Sequence, residues 1–125
     1  MTGIPSPEEL RQQFEVIQNQ LKPAKLKKLF KRPVIIVSTP RSGSTLLYET
    51  LSGSPDLWTI GGESHIIYSA FPRLTAENIQ MDSGCLTAAH ADKSTVNIMR
   101  AGFLYYLKNH QGMQYLNLPR KPDSV

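Results

Sequence analysis

The chain has 125 residues, 40% of them hydrophobic and 19% charged, with a formal net charge of +4. These proportions describe one ordinary globular domain and leave no room for two. No run approaches the roughly eighteen apolar residues of a membrane span, and the N-terminus MTGIPSPEELRQQ lacks the basic-then-apolar layout of a signal peptide. Cytoplasmic residence is the expectation, and the single Cys85, with no second thiol for a disulfide or a structural zinc site, reads as a reduced structural residue.

In chain order, residues 6 to 21 come first. Ser6 suits an N-cap, Pro7 the first helical position, and Glu9 completes a capping box. Leu10, Phe14, Ile17 and Leu21 then fall on one face until Lys22-Pro23 ends the pattern. This amphipathic helix is expected to pack on the body of the protein, with a homodimer contact as the open alternative. Lys22, Lys25, Lys27, Lys28, Lys31 and Arg32 follow, so that residues 22 to 32 carry six positive charges and the rest of the chain sums to −2. The stretch has neither interleaved aromatics nor a nucleic-acid motif, and reads as a solvated connecting segment. Residues 1–32 are thus set apart from 33–125.

The run PVIIV, from Pro33, is short, apolar throughout and rich in β-branched residues. Such a strand belongs in the middle of a parallel sheet with helices on both faces, which makes the expected fold class α/β: a P-loop-like three-layer fold whose central parallel sheet is incomplete in this chain. Ser44 to about Ser52 reads as a helix with Leu46, Leu47 and Leu51 on its buried side and Gly53 near its stop. SPDLWTIGGES follows as turn, extended piece and Gly-Gly turn, then a short helix SHIIYSAF closed by Pro72. Residues 73 to 91 carry little pattern. From Asp92 as N-cap, KSTVNIMRAGFLYYLKNH reads as a helix with Val96, Met99, Phe103, Tyr106 and Leu107 on one stripe, and LPRKPDSV as a terminal loop.

A strand that feeds a Ser/Gly turn opening a helix aims backbone N–H groups and the positive end of the helix dipole at one point, an anion site. Laid on the Walker pattern G-x-x-x-x-G-K-[ST], Gly43 takes the second glycine and Thr45 the last hydroxyl, while Ser38 replaces the first glycine and Ser44 the lysine. Without that lysine, phosphoryl transfer from Mg-ATP is poorly supported. Arg41 instead places a planar, multi-donor cation ahead of the glycine.

TPRSGSTLL resembles the 5′-phosphosulfate-binding loop of the PAPS-dependent sulfotransferase superfamily (PAPS is 3′-phosphoadenosine 5′-phosphosulfate). SPDLWTIGGESH is similar to the segment that its tyrosylprotein and bacterial branches carry after the loop. The two stretches span Pro33 to about Leu74, a third of the chain. The resemblance implies that Arg41 stabilises charge on the phosphosulfate and that Pro40, Ser42, Gly43, Ser44 and Thr45 help form the donor cradle. It also implies that the Gly-Glu segment supplies the base for the acceptor proton. Glu63 matches that base, and His65, two residues on, is the alternative, with an ordinary pKa suited to neutral pH. PAPS would be the co-substrate, with no metal; the acceptor would be a small molecule, carbohydrate or peptide carrying a hydroxyl or amine.

No later arginine and serine match the superfamily's 3′-phosphate element, so residues 33–125 read as the N-terminal part of such a domain, a truncated product or fragment inactive alone. Two other classes stay open: a degenerate P-loop nucleotide kinase or NTPase, and a non-catalytic interaction module using the N-terminal helix and basic segment. His90 and His110 lack metal-ligand spacing with each other or with Cys85 and read as surface residues, while Trp58, Tyr105 and Tyr106 read as core.

Overall fold

The computed structural model describes residues 5–39, 41–74 and 86–116. Pro40, Cys85 and the terminal LPRKPDSV, each read above from sequence, lie outside the described residues. The element order is α1 (Pro7–Leu29), α2 (Ser44–Ser52), α3 (His65–Tyr68), the 3-10 turns Pro72–Leu74 and Ala88–His90, and α4 (Lys93–Tyr106).

The N-cap at the start of α1 forms as expected, the Ser6 Oγ accepting the Glu9 N–H at 3.2 Å and Pro7 opening the helix, but among the described residues the Glu9 side chain makes no return bond to Ser6, so the expected capping box is only half made. The helix does break where Lys22 meets Pro23, because Lys22 takes φ 62° and ψ 153°, which no helix accommodates. It does not end there. Pro23, whose missing N–H costs nothing in a first turn, starts a second helical stretch running to Leu29, so most of the basic segment is helix rather than connector. That stretch has its own reason to fold: Leu26 is fully buried, and the Phe30 ring meets Phe103 edge-on at 5.9 Å.

The main layer is α1 against α4, as the amphipathic stripe implied. Leu10, Phe14, Ile17 and Leu26 of α1 share one core with Ile98, Ala101 and Leu104 of α4 and with Ile67, Ala70 and Phe71 around α3. At the crossing the Phe14 ring lies against Gly102, where a Cβ would stand 2.7 Å from Cε2; only a residue without one lets the helices come this close. Tyr105 and Tyr106 surround the same ring at 5.9 and 6.2 Å, and the Arg11 guanidinium lies 5.5 Å above Phe71. The buried face of α4 is therefore Thr95, Ile98, Ala101, Gly102 and Leu104, rotated from the expected stripe of Val96, Met99, Phe103, Tyr106 and Leu107, whose members are half-buried.

The start of α4 is held by a small polar network. Asp92 accepts the Thr95 N–H at 3.2 Å and the Thr95 hydroxyl at 2.8 Å, and pairs with Arg73, which also donates to the Thr95 Oγ1 at 2.5 Å. Hydrogen bonding from Thr95, then from the cation of Arg73, draws the Asp92 carboxyl down to about 2. After α4, residues 107 to 115 fold back as a short hairpin, closed by Tyr115 N–H to Leu107 at 2.9 Å and capped internally by the Asn109 side chain.

The α/β expectation is overturned. Among the described residues there is no sheet, only isolated antiparallel bridges of Thr59 with Lys108 and of Lys108 with Gln114. The run from Pro33 is extended, but Val34, Ile35 and Val37 are 79%, 79% and 88% exposed. Residues 33 to 38 make no backbone hydrogen bond among the described residues. The physical reason is that a strand apolar on both faces is stabilised only by strands on both edges and helices above and below, none of which the described residues supply. The expected P-loop-like three-layer arrangement fails with it. The boundaries of α2 match the expectation, but its burial does not: with no sheet to cover, Leu46 and Leu47 are 70% and 50% exposed.

Candidate functional site

The turn between the extended run and α2 is built from two left-handed residues. Arg41 takes φ 57° and Gly43 φ 87°; the Ser42 hydroxyl donates to the Thr39 carbonyl at 2.8 Å. Gly43 is the helix N-cap, and the left-handed region it occupies penalises any residue with a Cβ. A glycine N-cap brings no side-chain acceptor. Consequently Ser44, Thr45 and Leu46 present N–H groups with no hydrogen-bond partner among the described residues; the first bond of the helix is Leu47 N–H to Gly43 at 3.2 Å. Arg41 is exposed and makes no ion pair among the described residues. An open helix N-terminus beside an unpaired guanidinium is suited to one chemical task, holding an anion.

Glu63 and His65 meet each other rather than the loop. The Glu63 Oε2 lies 3.2 Å from the His65 Nδ1, with the side chains 87% and 79% exposed. An exposed pair of this kind adds little stability. The contact places the carboxylate beside Nδ1 of the ring. No hydrogen bond or ion pair among the described residues joins either side chain to Arg41.

The connection between the two segments runs through a residue that the sequence reading passed over. Tyr48, one turn after Ser44, accepts the Gly61 N–H on its hydroxyl at 2.8 Å and so ties α2 to the Gly-Gly segment ahead of Glu63. Thr59 and Lys108 exchange two backbone bonds of 2.9 and 2.8 Å, and the Lys108 side chain crosses the face of Gly61. Between these parts lies an open cavity of about 440 Å³, lined by Tyr48, Glu49, Thr59, Lys108 and His110 among others. The spacing of Tyr48 from Ser44 was a usable signal; Lys108, far along the chain, gave none. His110 is exposed, as expected, yet faces this cavity. His90 accepts the Thr87 N–H on Nδ1 at 2.9 Å in a local cap, and Trp58, 43% exposed, stacks edge-on to Tyr115 rather than lying in the core.

Among the described residues no group of three or more His, Cys, Asp or Glu is placed to hold a metal ion, and no helix is long and apolar enough to cross a membrane. Compared with models of known protein families, with curated proteins and with solved structures, the chain matches none.

Proposed function

We propose that the loop from Thr39 to Thr45 binds the 5′-phosphosulfate of PAPS and that the chain takes part in sulfuryl transfer to an acceptor hydroxyl or amine. The observation that carries this reading is the uncapped start of α2, where the exposed, left-handed Arg41 and the left-handed Gly43 lead directly into three N–H groups without a partner among the described residues. A non-glycine residue in that region costs about 1–2 kcal/mol, and strain of this sort gathers at ligand-binding turns. The residues fit the group: the N–H donors suit phosphate oxygens, and the guanidinium suits the charge that develops on the departing phosphate. The resemblance of TPRSGSTLL and SPDLWTIGGESH to the sulfotransferase segments names phosphosulfate among the anions such a turn would take.

In the reaction, a bond forms between the acceptor oxygen or nitrogen and sulfur as the bond from sulfur to the 5′-phosphate oxygen breaks, releasing PAP. The acceptor proton passes to Glu63 or to the Nε2 of His65. In the second case Glu63 acts as the group that holds the ring. Glu63→Gln and His65→Gln separate these roles: if His65 is the base, Glu63→Gln lowers the rate less than His65→Gln.

The deciding experiment is a calorimetric titration with PAP and, separately, with Mg-ATP, repeated on Arg41→Ala. PAP is expected to bind and to lose at least about tenfold in affinity in the variant, the scale of one charge-assisted contact. Failure of PAP to bind the folded chain overturns the reading, and binding of Mg-ATP alone gives it to the nucleotide kinase class.

A further inference from the structure

A concavity with a cationic lining stands apart from the loop, between the second half of α1 and the start of α4. A pocket of about 370 Å³ there is lined by Pro23, Ala24, Lys27, Lys93, Val96 and Arg100, with two further residues. Its charged lining residues are all cations. Lys93 and Arg100 are seven apart, two turns of one helix, with Val96 between them on the same stripe. Lys27 arrives from α1 because the break at Lys22 redirects the chain, and because Leu26, the residue before it, is fully buried.

None of the three cations has an ion pair or hydrogen bond among the described residues. The carboxylate nearest in sequence, Asp92, is already taken by Thr95 and Arg73. Two helices thus bring three cationic residues to the lining of one concavity with small apolar walls, and a cleft lined by charges of one sign draws the opposite sign toward it.

We infer that Lys27, Lys93 and Arg100 form a binding site for a compact polyanion of two or three phosphoryl groups. Each such group carries about one to two negative charges at neutral pH and accepts several hydrogen bonds, which matches two ammonium groups and one forked guanidinium. A concave site built from two elements favours a soluble ligand over a flat anionic membrane, which would meet the exposed Lys25 and Lys28 equally.

The test is a titration with inorganic tripolyphosphate in the Arg41→Ala background, where the loop competes less. Saturable one-to-one binding is expected. The pair Lys93→Gln with Arg100→Gln should weaken it at least about tenfold, whereas Lys25→Gln with Lys28→Gln, the same loss of charge outside the pocket, should weaken it by no more than about threefold. Absence of saturable binding, or equal losses in the two pairs, overturns the site. Should the first pair not keep its circular dichroism spectrum, Lys27→Gln alone, expected to lose about fivefold, replaces it. Binding to phosphatidylserine vesicles that tripolyphosphate does not displace also overturns the site, in favour of a membrane-facing patch. Because Arg41 is absent throughout, failure here says nothing about PAP, and failure of PAP says nothing here.

Discussion

The Tyr48 hydroxyl accepts the backbone N–H of Gly61 at 2.8 Å across thirteen residues of sequence. It is the one side-chain hydrogen bond found between α2 and the Gly-Gly segment among the described residues, and it sets where Glu63 stands relative to the loop. Tyr48→Phe removes the acceptor but keeps the ring. Since Gly61 is exposed and water can replace the hydroxyl, the expected loss in stability is about 1 kcal/mol or less. The sharper effect is local: amide exchange at Gly61 should accelerate while amides of α1 and α4 keep their protection, as read by hydrogen-exchange NMR.

Gly43→Ala isolates backbone strain from crowding. Nothing lies within 4 Å of where the new Cβ would stand, yet φ is +87°. The substitution should cost about 1–2 kcal/mol through the backbone alone, measured by urea unfolding. It should also weaken PAP binding, because the first N–H groups of α2 lose their common direction.

Gly102→Ala tests the opposite case. Its Cβ would fall 2.7 Å from the Phe14 Cε2 in the core, so about 1–3 kcal/mol of overpacking is expected. Phe14→Leu in the same chain should recover part of that loss, giving a non-additive double-mutant cycle by thermal unfolding.

Acid stability should carry the signature of Asp92. Its folded pKa of about 2 lies below the ordinary carboxyl value of about 4, so its contribution is present above about pH 4 and is lost as the pH falls from there through about 2. Thermal unfolding of the wild type against Asp92→Asn should show a gap in Tm at pH 6 that narrows over that interval. A gap independent of pH would rule out the ionised carboxylate as its source.

What was legible beforehand was local. Ser6 with Pro7 and Glu9, Asp92 ahead of Thr95, and Gly53 after Ser52 mark helix ends through bonds made within a few residues, so their chemistry is written in adjacent letters. The turn through Arg41 and Gly43 that opens α2 was legible for the same reason. The run Val34 to Val37 was not, because apolarity reports that a segment gains from burial without reporting whether anything is there to bury it. Leu46 and Leu47 misled in the same way. Tyr48 with Gly61, and Thr59 with Lys108, join residues distant along the chain whose types carry no mark of each other. The rotation of α4 toward Gly102 follows from the size of Phe14, which no helical period encodes.

The uncovered run beginning at Pro33 has a consequence for the protein as a solute. β-Branched side chains in water on both faces, with main-chain donors and acceptors unengaged among the described residues, have the composition from which intermolecular aggregates grow. Pro33, which cannot donate to a growing ladder, and the cations Lys31 and Arg32 beside it act as gatekeepers. Their protection is partly electrostatic, so it weakens as salt screens it. The colloidal stability of the protein should therefore be greatest at low ionic strength, and a charge placed at Ile35 should make it tolerant of salt without touching the core formed by α1 and α4.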